Sequence, residues 1–135
     1  MVRGTDLVLV DTSAWIHSFR HGESPMASRI RRLLDEDRVA LCGPVLLEIR
    51  RGLRPTDSKL VLDLFQALVW LPFEEMDWGD AGLLDVSLRR KGTTLPSLDV
   101  LIAHVCLKNR VSILTLDGHF RLVPNLQVVD DAAQE

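Results

Sequence analysis

The chain has 135 residues, 47% of them hydrophobic and 26% charged, which is ample apolar material for one core and excludes collagen-like, disordered and disulfide-scaffold classes. Its 16 Lys and Arg against 19 Asp and Glu give a net charge of −3, the wrong sign for a protein that coats nucleic acid nonspecifically, though not for an enzyme that engages nucleic acid through metal ions. The apolar runs at 7–10 and 100–103 fall far short of the roughly 18 residues that a membrane span needs, and no apolar stretch with a cleavage site follows the first residues, so the expectation is one cytoplasmic domain over 1–135.

In chain order, residues 6–10 read as a short buried parallel strand, stopped by Asp11-Thr12-Ser13, three residues that favour turns and caps. Ser24-Pro25 caps a helix that carries Ile30, Leu33 and Leu34 and ends at Asp35-Glu36-Asp37. A second strand covers 39–42, and after Gly43 a helix from Pro44 runs to Gly52. Asp57 is read as the cap of a helix with Leu60, Val61, Leu64, Phe65 and Leu68 in one stripe, followed by an extended piece at 69–73. Asp77 is read as the cap of a helix ending at Arg89-Arg90-Lys91 and Gly92, its basic end matched to the helix dipole. Ser97 is read as the cap of a helix apolar nearly all round over 98–107, hence central. Strands at 112–116 and 126–129 complete the pattern. Short apolar strands alternating with helices imply an α/β class, a three-layer α/β/α sandwich with a mainly parallel sheet. Cys42 and Cys106 lie in apolar segments and read as buried thiols.

Four acidic residues interrupt this scheme. Asp11 and Asp117 each follow an apolar strand at its carboxyl end, where open parallel sheets build ligand crevices. Glu48 lies among Val45, Leu46, Leu47 and Ile49, and Asp99 among Leu98, Val100, Leu101 and Ile102, both near the start of a helix. In a right-handed parallel α/β fold, strand ends and helix starts fall on one edge of the sheet, so the four can converge. Singly, Asp11 and Asp117 read equally well as turn residues, and Glu48 and Asp99 as complements to a helix dipole. Brought together at one edge without matching Lys or Arg, they would repel one another unless a cation joined them. Oxygen ligands suit Mg²⁺ or Mn²⁺, and the four histidines, His17, His21, His104 and His119, show no ligand spacing.

Val8-Leu9-Val10-Asp11-Thr12-Ser13, Glu48, Asp99-Val100-Leu101-Ile102-Ala103 and Leu114-Thr115-Leu116-Asp117-Gly118-His119-Phe120 together resemble the PIN-domain nucleases, and within them the VapC-type toxins of bacterial type II toxin–antitoxin systems. The resemblance runs from Leu7 to about Val129. It implies a PIN-like α/β/α sandwich, an acidic pocket holding Mg²⁺ or Mn²⁺, endoribonuclease activity on cellular RNA, and homodimers silenced by a cognate VapB-type antitoxin. Residue by residue, it implies Asp11 and Asp99 as the positions most directly tied to metal, Glu48 and Asp117 as further acidic ligands, and Ser13 as the hydroxyl that arranges the metal shell. Leu98 departs from the pattern, since relatives often carry a polar residue there. The chemistry agrees, because a carboxylate-held divalent ion supplies both a nucleophilic water and charge stabilisation for phosphodiester hydrolysis.

Arg50, Arg51, Arg54, Arg89, Arg90 and Lys91 are candidates for RNA phosphates, each with a solvated helix face as the simpler reading. Trp15, Trp70 and Trp78 read as core or interface. A receiver-like module would need paired acids after the first strand and a lysine after a late one, and a haloacid-dehalogenase-type phosphatase would need Asp-x-Asp where Ser13 stands. The stronger rival is a catalytically silent PIN-like module that only binds RNA or protein. An antitoxin is expected to place an arginine among the four carboxylates, with an apolar helix in a groove between the helices from Ser24 and Pro44, anchored by Trp15 and Ile16.

Overall fold

A computed structural model describes residues 6–129. The first apolar run becomes β1 (Val8–Val10), buried on both faces, which sits second from the edge of a four-stranded parallel sheet. Its neighbours are β2 (Val39–Cys42) and β4 (Ser112–Leu114), and β3 (Val69–Leu71) pairs on the far side of β2, giving the order β3-β2-β1-β4. The chain steps from β1 outward to β2 and β3, then returns across the sheet to β4. With right-handed crossovers, that reversal puts the helices of the two halves on opposite faces and opens a crevice between the carboxyl ends of β1 and β4.

Six helices among the described residues flank the sheet: α1 (Thr12–Arg20), α2 (Pro25–Asp35), α3 (Gly43–Gly52), α4 (Pro55–Phe65), α5 (Glu75–Arg90) and α6 (Ser97–Asn109). The expected α/β sandwich with a parallel sheet is present. Ser24 caps α2 as read, its hydroxyl accepting from the Ala27 N–H at 3.2 Å. The helix α6 buries Val100, Ile102, Ala103, Val105 and Cys106, as its apolar circumference demands, and it ends where Arg110 turns left-handed at φ 56°.

Several boundaries differ from the sequence reading. The sequence reading marks Asp11-Thr12-Ser13 as turn and cap residues and assigns no helix after them, yet 12–20 form α1, with Asp11 in the cap position and Trp15 packed 4.9 Å from Phe65 in the core. Asp57 and Asp77 each stand at the third position of their helix rather than as caps, and Pro96 occupies the cap position assigned to Ser97. The late strand stops at Leu114 because its partner β1 ends opposite it at Val10, where the chain turns through Asp11 into α1, and Thr115 then gives its hydroxyl to Asp11. Residues 126–129 make a single parallel bridge, Val128 to Ile113, on the outer edge of β4, following the left-handed turn at Asn125.

Candidate active site

Register brings the first two site residues together. Val10 lies beside Leu114, so the next residue of each chain segment, Asp11 and Thr115, meet just beyond the sheet, and the Asp11 N–H donates to the Leu114 carbonyl at 2.9 Å. Asp11 is 2% exposed. Its Oδ2 accepts from the Thr115 hydroxyl at 2.8 Å and the Ser13 hydroxyl at 3.0 Å, and Ser13 and Thr115 lie 3.2 Å from each other. The same two hydroxyls accept from the backbone, Ser13 from Leu116 N–H and Thr115 from Asp117 N–H, each at 3.0 Å. Two side chains therefore fix the Asp11 carboxylate and tie the segment leading to Asp117 against α1, while Oδ1 takes no hydrogen bond from the described residues.

Glu48 projects from the middle of α3, and the Thr12 hydroxyl donates to its Oε1 at 2.7 Å. Asp99 stands at the third position of α6, 9% exposed, with Oδ2 2.8 Å from His119 Nε2. Burial pushes the Asp99 carboxyl above its ordinary range; the contact with His119 opposes that shift, and the negative charges of Asp11 and Glu48 reinforce it. Three carboxylates thus share one electrostatic environment. Asp117 enters it from the position just before the short 3₁₀ helix at Gly118–Leu122, since single ligand atoms of Asp99, Asp117 and His119 all lie within 4.8 Å of one another.

Among the described residues, no Lys or Arg forms an ion pair with any of the four. The nearby thiol offers no soft alternative ligand: burial, with the charges of Asp11 and Glu48 adding to it, drives Cys42 up to about 12. Cys106 is raised well above its ordinary value by burial, and both cysteines are free and buried, as read. The donor set is oxygen-rich, anionic and uncompensated, and such a set fits a hard divalent cation.

All five sequence candidates, Asp11, Ser13, Glu48, Asp99 and Asp117, lie around this crevice. The sequence reading does not single out Thr12 or Thr115, and it gives His119 no ligand spacing, whereas the fold sets it beside Asp99 and Asp117. The first two were visible as hydroxyls flanking acids in Asp11-Thr12-Ser13 and Thr115-Leu116-Asp117. His119 was not legible as a partner of Asp99, because 20 positions separate them.

A second cluster, Asp77, Asp80 and His104, has the same residue types. Asp77 is fully buried, and its Oδ2 accepts from the Glu74 N–H at 2.6 Å and from Lys108 Nζ at 3.0 Å, while His104 Nε2 lies 2.7 Å from Oδ1. Here an ammonium already supplies the positive charge. Of the cations proposed for RNA, Arg54 and Arg89 are engaged with Asp57 and Asp85, whereas Arg50, Arg51, Arg90 and Lys91 are exposed. The sequence reading places an antitoxin groove between the helices from Ser24 and Pro44, α2 and α3; an apolar depression is present beside it, on the other flank of α3. This depression, of about 690 Å³, is lined by α1, α3 and α4, through Ile16, Phe19, Ile49, Leu53, Leu60 and Val61. Ile16 contributes to it, but Trp15 is 1% exposed and belongs to the core. Trp70 and Trp78 are about half exposed, on β3 and α5.

Residues 8–126 match the family model described as PIN domain. Over 125 residues the chain is 32% identical to VapC ribonuclease Mb1587 of Mycobacterium bovis and to ribonuclease VapC11 of Mycobacterium tuberculosis, covering 89% of this chain and 93% of each relative. Its fold is similar to that of a DNA-bound VapBC complex from Salmonella typhimurium, with a TM-score of 0.77 at 22% identity over 92% of this chain and 97% of the other. It is also similar to VapC20 of Mycobacterium tuberculosis, a toxin described as cleaving the sarcin-ricin loop, with a TM-score of 0.65 at 18% identity over 91% and 99% of the two chains.

Proposed function

The chain belongs to the PIN-domain family and, within it, to the VapC ribonucleases, and from that premise we propose that it is a Mg²⁺- or Mn²⁺-dependent endoribonuclease whose metal is held by Asp11, Glu48, Asp99 and Asp117. The observation that carries this reading is that Asp99 lies beside Asp117 and within the field of Asp11 and Glu48, with no Lys or Arg among the described residues paired to any of them. Buried or crowded charge of one sign is costly unless an opposite charge joins it, and a divalent ion is the opposite charge that oxygen donors select.

Bound there, the ion would supply an activated water and stabilise charge developing on the phosphoryl oxygens. The chain's own residues do the positioning. Ser13 and Thr115 hold one oxygen of Asp11 so that its carboxylate cannot rotate away, and Thr12 does the same for Glu48. A carboxylate fixed before the ion arrives loses little orientational freedom when it binds, which is the benefit of preorganisation. Until an ion is present, the same charges repel an RNA backbone. Exposed Arg50, Arg51, Arg90 and Lys91 are then the candidates to receive phosphates.

The reading extends to partners. A cognate antitoxin is expected to lay an apolar helix in the groove between α1, α3 and α4 and to direct an arginine to the carboxylates, where a planar guanidinium bridges two of them. The family likeness supports a homodimer, one PIN-like domain over 1–135, and action in the cytoplasm; no helix among the described residues is long and apolar enough to cross a membrane.

Purified protein incubated with total RNA should cleave it with Mn²⁺ or Mg²⁺ and stop with EDTA. Asp11→Asn and Asp99→Asn should be folded and inactive. RNA binding without cleavage by the metal-loaded wild type would instead favour the silent PIN-like module.

A further inference from the structure

We infer that His119 is a metal ligand alongside Asp99 and Asp117, which makes the centre a mixed nitrogen–oxygen site that favours Mn²⁺ over Mg²⁺. This inference rests on the carboxylate site proposed above and adds to it the nitrogen donor and the choice of ion.

Three features of His119 support it. Its Nε2 lies 2.8 Å from Asp99 Oδ2, and single atoms of Asp99, Asp117 and His119 fall within 4.8 Å of one another. Adjacent ligands about 2.1 Å from an octahedral ion stand about 3 Å apart, and opposite ligands about 4.2 Å apart, so these spacings suit three donors on one ion as well as they suit a hydrogen bond without it. The imidazole is also anchored. It sits on the short 3₁₀ helix at Gly118–Leu122 with its ring 4.9 Å from that of Phe120, a fully buried residue, while its own side chain is 33% exposed.

The third feature is the contrast with His104. That ring is held as closely to a carboxylate, yet Lys108 Nζ already stands 3.0 Å from Asp77, so the cation position of that cluster is taken by the protein itself. No such cation serves Asp99 among the described residues. A neutral imidazole nitrogen binds first-row transition ions well and Mg²⁺ poorly, whereas carboxylates alone discriminate little between Mg²⁺ and Mn²⁺. Adding one nitrogen to three or four carboxylates should therefore shift the preference without abolishing binding of either ion.

The test is to titrate the purified full chain with Mn²⁺, and with Mg²⁺ as competitor, following free Mn²⁺ by electron paramagnetic resonance. Wild type is expected to prefer Mn²⁺. His119→Ala should lose about 10-fold in Mn²⁺ affinity and change little toward Mg²⁺, while His104→Ala leaves both unchanged. Pulsed resonance on wild type bound to Mn²⁺ should show coupling to an imidazole ¹⁴N, which needs no variant to fold. Mn²⁺ binding that Asp99→Asn abolishes, with no ¹⁴N coupling and no effect of His119→Ala, would overturn the role of His119 and leave the carboxylate site standing. Failure of wild type to bind Mn²⁺ at all would overturn both.

Discussion

Asp77 and Asp99 occupy the same position, the third residue, of consecutive helices α5 and α6, and each has a histidine nitrogen within 2.8 Å. Their fates diverge at the residue before the helix. Glu74 offers a backbone N–H that Asp77 accepts at 2.6 Å, closing a reciprocal capping box, and Lys108 adds a positive charge. Pro96 has no N–H to offer, so Asp99 cannot close the same box and its carboxylate stays uncommitted to its own helix. The electrostatics follow. Asp77 is held well below the usual carboxylate range, first by the Glu74 N–H and then by His104, with Lys108 adding to both, whereas Asp99 is raised, first by burial. One cluster is a finished structural joint between α5 and α6. The other is an anionic crevice whose charge no Lys or Arg among the described residues offsets.

The largest expected effect separates the two by activity. Asp99→Asn and Asp11→Asn should lower metal-dependent RNA cleavage by about 100-fold or more with circular dichroism unchanged, while Asp77→Asn, compared at a temperature where it is folded, retains activity. Equal losses in all three would mean that the two clusters are not functionally distinct.

Metal should sharpen the contrast through stability. An ion at 100 times its dissociation constant stabilises the folded state by about 2.7 kcal/mol, so Mn²⁺ should raise the melting temperature of wild type and of Asp77→Asn alike, and that of Asp99→Asn markedly less. A shift of the same size in Asp99→Asn would place the ion elsewhere.

Without metal the order reverses and the effects are smaller. In EDTA, Asp77→Asn should melt about 3–5 °C below wild type through loss of its cap and ion pair, whereas Asp99→Asn should melt at or above wild type because it removes one of several crowded charges. Thermal scans of the three proteins decide this, and a destabilised Asp99→Asn would contradict the repulsion argument.

The smallest effect is in the pH dependence, where the two residues have opposite signs. The lowered value of Asp77 contributes stability that is fully present above its unfolded value of about 3.9 and is lost as the pH falls toward the lowered one. The raised value of Asp99 means that its ionised form is disfavoured in the folded, metal-free protein, so stability is regained as the pH falls through that raised value toward about 3.9. In EDTA, the advantage of Asp99→Asn over wild type should therefore shrink as the pH falls through the raised value of Asp99 toward about 3.9, and the deficit of Asp77→Asn should shrink below about 3.9. Melting temperatures measured from pH 7 to 3 would expose a common sign if the two sites were alike.

The sequence by itself determined the α/β class, most of the strands and helices, and the acidic set, because short apolar strands, proline and glycine stops and misplaced carboxylates are local signals. It also carried the difference between Glu74 and Pro96, one residue that can donate and one that cannot. It did not reveal α1, since a helix that begins on Asp-Thr-Ser reads as a turn until Trp15 is seen to be buried. Only the tertiary structure decided the rest. The distant partners of Asp11 and Asp99 lie 104 and 20 positions away, at Thr115 and His119, and depend on β4 pairing beside β1. That α1, α3 and α4 together border an apolar depression was likewise decided by packing, because which helix borders which depends on distances that periodicity along the chain does not encode.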